Sequence, residues 1–167
     1  MVRARLPFTI LIAAAVACVV LLIAAARTGD VALYNGTPSM PVGVYLRTSA
    51  SIEPGAIVTV RATNVAPDYA AARSFTKPGN RFLKRIAATT GDVVCAYGPN
   101  VWINGEALPE RQSHDSSGRR LPTWSGCLTL SHGEVLLLGE TPDGFDGRYW
   151  GPTPASQIEG FWRRLGA

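Results

Sequence analysis

Residues 34 to 46 read Tyr34-Asn35-Gly36-Thr37-Pro38-Ser39-Met40-Pro41-Val42-Gly43-Val44-Tyr45-Leu46. Pro38 and Pro41 fix their own φ angles and bias Thr37 and Met40 towards extended backbone, so Ser39 sits in a stiff, non-helical turn. That turn feeds a strand starting near Val44. A hydroxyl on a rigid turn is well aimed, and Ser39 reads as a nucleophile. A plain Pro/Gly turn between an apolar helix and a strand is the alternative that this stretch alone leaves open.

Upstream, Phe8 to Ala26 carry no charge. As a helix rising about 1.5 Å per residue, this run reaches about 28 Å, close to the roughly 30 Å of a hydrocarbon core. Residues 8–26 therefore read as one membrane span in contact with lipid. Arg3 and Arg5 precede it, while Asp30 nearly offsets Arg27 beyond it, which places the N-terminus in the cytoplasm. The chain divides into a cytoplasmic tip with its anchor, residues 1–27, and an exported domain, residues 28–167. A cleaved export signal ending at Ala24-Ala25-Ala26 is the competing reading, but the run exceeds the roughly 7 to 15 apolar residues of such a signal.

The exported part is rich in turn formers, and the whole chain holds 17 glycines and 12 prolines. Short strands, not a helical bundle, are expected. A net charge of +4, scattered along the chain, gives no sign of nucleic acid as a partner. Ala56 to Arg61 follows the turn Glu53-Pro54-Gly55 and alternates β-branched residues, as a strand does. Ala62 to Asn80 reads as an irregular connection with one helical turn at most.

In Arg81-Phe82-Leu83-Lys84-Arg85-Ile86-Ala87, the period of two along a strand puts Phe82, Lys84 and Ile86 on one face. A lysine between apolar neighbours is desolvated, which lowers its pKa by up to about 3 to 5 units and leaves an amine able to accept a proton. Snorkelling of Lys84 from a strand edge is the plainer alternative. Val93-Val94-Cys95 and Val101-Trp102-Ile103 read as strands, and Asn104-Gly105 as a two-residue hairpin turn. Residues 109 to 126 read as an exposed excursion. His114 and His132 read as surface or structural residues, and no metal-ligand spacing or cofactor motif appears.

Cys18 lies within the apolar run, so Cys95 and Cys127 are the cysteines facing an oxidising compartment. A bridge between them closes about 30 residues and stabilises the fold by roughly 3 to 4 kcal/mol on the chain-entropy estimate. Two free thiols are the alternative. Glu134 to Gly139 reads as a buried strand, and Gln157 to Leu165 as a closing strand.

Three stretches taken together resemble the type I signal peptidases. Ser39-Met40-Pro41, with a hydroxyl at Thr37, is similar to their nucleophile box, and the ending Pro-Val-Gly-Val-Tyr is closer to their conjugative-transfer branch, the TraF-type peptidases. Phe-Leu-Lys-Arg-Ile followed by Gly-Asp-Val-Val resembles their lysine box. Phe145-Asp146-Gly147-Arg148-Tyr149-Trp150-Gly151 resembles their last box. The resemblance implies a mainly β, signal-peptidase-like catalytic domain behind one N-terminal transmembrane helix, in the bacterial inner membrane with the catalytic domain periplasmic.

By the same resemblance, Ser39 is the catalytic nucleophile and Lys84 the general base. The Ser39 N–H and the Thr37 hydroxyl form the oxyanion hole, and Asp146 with Arg148 forms a supporting corner. The implied substrate is a pilin-like or signal-peptide-bearing precursor cut during conjugative transfer, with water or the substrate's own amine resolving the acyl-enzyme. A housekeeping signal peptidase, or a non-catalytic assembly protein on the same fold, are the other readings. Two departures stand out: Gly147 replaces a serine, and Gly139-Glu140-Thr141-Pro142 replaces Gly-Asp-Asn-Arg. No serine that would hydrogen-bond Lys84 is identifiable, which leaves Asp146 to orient it.

Overall fold

The computed structural model describes residues 10, 12–19 and 30–166. Two compact units emerge, Met1–Val31 and Ala32–Ala167. In the first, residues 12–19 are helical and exposed. The expected span over residues 8–26 lies largely outside the described residues, and among those described no helix is long and apolar enough to cross a membrane.

The second unit is mainly β. Its strands are β1 (Ala32–Asn35), β2 (Gly43–Thr48), β3 (Ile57–Arg61), β4 (Arg81–Ala88), β5 (Val93–Tyr97), β6 (Asn100–Ile103), β7 (Glu106–Ala107), β8 (Gly126–Thr129), β9 (Glu134–Leu138), β10 (Thr153–Pro154) and β11 (Ile158–Arg164). Three short helices are interspersed, α1 (Ala62–Val65), α2 (Pro67–Ala72) and α3 (Gly147–Trp150). One antiparallel sheet runs β1-β2-β11-β3-β4-β9-β10, and a second runs β7-β6-β5-β8. The closing strand expected at the C-terminal end is β11, and it lies between β2 and β3.

Local chemistry accounts for most elements. Ile57-Val58-Thr59-Val60 supplies the branched side chains that fit a pleated surface. Asn104 and Gly105 both have positive φ, 51° and 86°, and join β6 to β7 as a two-residue turn with Ile103 opposite Glu106. Pro67 begins α2, where its missing N–H costs nothing. The stretch 62–80, expected to be irregular, thus carries two short helices.

Val58, Val60, Ile86, Val135 and Leu137 form a core beneath the larger sheet. Ala88, Val94, Ala96, Val101, Leu130 and Leu136 form another, drawn from strands of both sheets. Burying one such large aliphatic side chain contributes about 1.5 to 3 kcal/mol. Cys95 and Cys127 are bridged across β5 and β8, where they are register partners with Cα atoms 4.0 Å apart. The excursion of residues 109–126 is mostly exposed, as expected, with two residues turned inward. Leu121 is buried, and so is Arg111, which donates hydrogen bonds to the carbonyls of Gly98, Trp124 and Arg148. An arginine with three carbonyl acceptors can leave water, which composition alone does not reveal.

Candidate active site

The turn bearing Ser39 links β1 to β2 and is pinned on several sides. Met40 is fully buried with Tyr45, Leu83 and Trp162. The Ser39 carbonyl accepts a 2.7 Å hydrogen bond from the Glu140 N–H, just beyond β9. Tyr45 donates its hydroxyl to the Pro41 carbonyl at 2.7 Å. The Ser39 N–H donates no hydrogen bond among the described residues.

Lys84 comes from β4, opposite Val58 of β3. It is 2% exposed. As the period of two implies, it shares its strand face with Phe82 and Ile86, and its amine lies 5.9 Å from the Phe82 ring centre. Burial lowers its pKa to about 8, opposed by the Asp146 carboxylate and reinforced by Arg148. The amine forms no hydrogen bond among the described residues. The Ser39 and Lys84 side chains are likewise not hydrogen-bonded to each other.

They are nevertheless brought together. Ser39, Thr37 and Lys84 line one cavity of roughly 690 Å³, with Tyr69, Phe82 and Phe145 among its walls. Gly139 marks how tightly the parts meet. A Cβ on it would stand 2.9 Å from the Ser39 carbonyl oxygen, 3.4 Å from Lys84 Nζ and 3.5 Å from Asp146 Oδ2. No side chain fits there without displacing the turn that bears Ser39. A Cβ on Gly144 would likewise stand 3.5 Å from Ser39 Cβ.

Asp146 and Arg148 form the buried corner expected of them. Arg148 Nε donates to Asp146 Oδ1 and a terminal nitrogen donates to Oδ2, both at 2.9 Å. Asp146 also caps α3 by accepting from the Arg148 N–H, and its Oδ2 accepts from the Gly139 N–H at 2.9 Å. The remaining Arg148 N–H groups reach the carbonyls of Pro109, Thr141, Pro142 and Gly144. Asp146 therefore acts on Lys84 through charge, while its hydrogen bonds go to Arg148 and Gly139.

Thr37 lines the cavity, yet its hydroxyl donates to Asn35 Oδ1 at 3.0 Å. A hydroxyl has one proton to give, so oxyanion donation by Thr37 requires it to leave Asn35. Asn35 itself escaped the sequence reading. Its signal was an Asn at a strand end just before a proline-rich turn, where a side-chain amide can bond the backbone ahead of it. Thr141 escaped too. Its hydroxyl oxygen is buried, with no hydrogen-bond partner among the described residues, and the residue lines the cavity. His114 also lines the cavity, where its ring nitrogen pairs with the Ser113 hydroxyl, whereas His132 is exposed and outside it.

The family model described as "Signal peptidase, peptidase S26" matches residues 3–164. Two Escherichia coli proteins, each called plasmid transfer protein TraF, are 37% and 38% identical over 150 and 149 residues, covering 83% of this chain and 84% of each relative. A solved signal peptidase I from Enterococcus faecalis V583 superposes with a TM-score of 0.39 at 20% identity, covering 68% of this chain and 98% of that one. That superposition is too loose to bear on the fold.

Proposed function

Because the chain belongs to the signal peptidase S26 family, we propose that it is a membrane-held serine endopeptidase of conjugative transfer, with Ser39 as nucleophile and Lys84 as general base. The observation that carries this reading is the buried Lys84 amine, with its pKa lowered to about 8, on the same cavity wall as Ser39. At that pKa a useful fraction is neutral near physiological pH, and proton transfer is efficient when the base is tuned near the working pH.

Neutral Lys84 takes the Ser39 proton as the serine oxygen attacks the scissile carbonyl. The oxyanion meets the Ser39 N–H and the Thr37 hydroxyl, once that hydroxyl exchanges Asn35 for the substrate. One such donor is typically worth about 2.7 to 4 kcal/mol of barrier. The Lys84 ammonium then returns its proton to the departing amine. The ester on Ser39 is resolved by water, or by an amine of the substrate itself, which would close a ring. Asp146 and Arg148 hold the Gly139 and 141–144 backbone against this pair.

The substrate is a pilin-like or signal-peptide-bearing precursor. Residues 8–26 would hold the enzyme in the inner membrane, N-terminus inside, at the depth where such precursors are tethered. Cleavage of a membrane-tethered pilin precursor by the full chain in detergent tests this. Alongside it, a serine-reactive acylating inhibitor should add its mass to Ser39 and not to the Ser39→Ala variant. An unlabelled Ser39 in folded protein would instead favour a non-catalytic assembly role.

A further inference from the structure

The turn from Thr37 to Pro41 has little backbone bonding of its own. Pro38 and Pro41 have no N–H, and outside the strands the only backbone–backbone bond it makes among the described residues is the one from Glu140 to the Ser39 carbonyl. Asn35, at the end of β1 and 8% exposed, fills the gap with one carboxamide. Its Nδ2 donates to the Thr37 and Met40 carbonyls, both at 2.9 Å, and lies 3.2 Å from the Pro41 carbonyl. Its Oδ1 accepts from the Thr37 N–H at 3.3 Å and from the Thr37 hydroxyl at 3.0 Å. The nitrogen faces only acceptors and the oxygen only donors, so the amide's orientation follows from the network.

These contacts bracket Ser39 on both sides and touch none of its atoms. We infer that Asn35 is a positioning residue for the nucleophile, fixing where Ser39 stands relative to Lys84 and holding the Thr37 hydroxyl until an oxyanion competes for it. The same amide thereby links the two halves of the reaction's geometry, the attack trajectory and the side-chain donor. This rests on the Ser39–Lys84 reading above. Asn35 lines the same cavity, but its amide is taken up by the turn and by Thr37, so its effect passes through them.

Two variants separate the halves of the amide. Asn35→Ala removes every contact without adding charge. Asn35→Asp keeps the shape and the acceptor for Thr37 but turns oxygen towards three carbonyls. In Asn35→Ala, plateau kcat per folded molecule, counted from the native circular-dichroism signal, should fall about 100-fold, as expected for a misplacement near 1 Å, with KM moving less than about threefold. The pH midpoint of the rate should stay where wild type has it, because the surroundings of Lys84 are untouched. A purely structural role would instead lower the folded fraction and leave kcat per folded molecule intact. Asn35→Asp should lose at least as much, and it decides the matter if the alanine variant does not fold.

Wild-type kcat per folded molecule in either variant overturns the inference. So does a midpoint moved up towards the ordinary lysine range in Asn35→Ala, which would mean that the whole site had opened. Ser39→Ala and Lys84→Met run alongside. If these retain turnover, the underlying reading fails whatever Asn35 does. If they are silent while Asn35→Ala is unimpaired, only the role given to Asn35 fails.

Discussion

Lys84 and Arg148 are buried cations that both feel the Asp146 carboxylate, and they are held in opposite ways. Burial works against the Arg148 charge, but the Asp146 hydrogen bonds and charge outweigh it and push its pKa up. Four carbonyls take its other N–H groups. Lys84 has burial and almost nothing else, and its pKa falls to about 8. The one buried carboxylate of the corner gives its hydrogen bonds to the arginine, which leaves the lysine able to lose a proton. The general lesson is that a fold makes a base out of a cation by withholding partners from it.

Exchanging the two chemistries breaks the contrast most severely. Lys84→Arg puts a group that stays protonated where a neutral amine is needed, and should lose roughly 10⁴-fold or more in turnover, as much as Lys84→Met. For the wild type, the proposed mechanism works with the deprotonated lysine, so the rate should climb with pH through about 8. Substantial turnover by the arginine variant would move the base elsewhere.

Removing the arginine should cost stability. Arg148→Met strands a buried carboxylate, and loss of one partner of such a pair typically costs about 3 to 5 kcal/mol, read from the denaturant midpoint. It also sharpens the contrast. Arg148 lowers the Lys84 pKa and Asp146 raises it, so losing the arginine leaves the carboxylate to act on the lysine alone. The midpoint of the rate profile should therefore move above 8 in the folded fraction.

A smaller effect of opposite sign is expected from Lys84→Met. The unfolded lysine titrates near 10.5 and the folded one near 8. Below pH 8 both states hold the proton, and the folded state bears the whole cost of the buried ammonium. Between pH 8 and 10.5 the unfolded chain binds more protons, so wild-type stability rises with pH and the cost disappears. Lys84→Met should thus be more stable than wild type at pH 7, by on the order of 3 kcal/mol, with the gain shrinking towards pH 10.5. A pH-independent difference would show that Lys84 is not desolvated. The smallest effect belongs to the histidines. His114→Ala and His132→Ala should leave the midpoint unchanged, and a displaced one would bring His114, on the cavity wall, into the proton transfer.

Much of this was legible in the chain. The alternation around Lys84 gave its face and burial, since period two is a property of any strand. The proline spacing around Ser39 gave a stiff turn. What sequence could not supply was the destination of single protons and of charges that leave water. Arg111 reads as a surface residue until Gly98, Trp124 and Arg148 offer it carbonyls from three different segments. Nor does the sequence show that the Thr37 hydroxyl, read as an oxyanion donor, rests on Asn35. The need for glycine at 139 depends on Ser39, Lys84 and Asp146, which lie far apart along the chain and meet only in the folded protein.

β11 is the last strand along the described residues and a middle strand of the larger sheet, with β2 on one side and β3 on the other. The hairpin carrying the Ser39 turn and the pair carrying the lysine have no common ladder until residues 158–164 enter between them. As the chain is made, Ser39 and Lys84 therefore both exist before the sheet that unites their strands does. If Ser39 and Lys84 are the working pair, their alignment waits on β11, and activity should appear only once that strand is in place. A chain stopped after Gln157 should be inert towards precursor, and a peptide of residues 158–164 added in trans is the natural means of waking it.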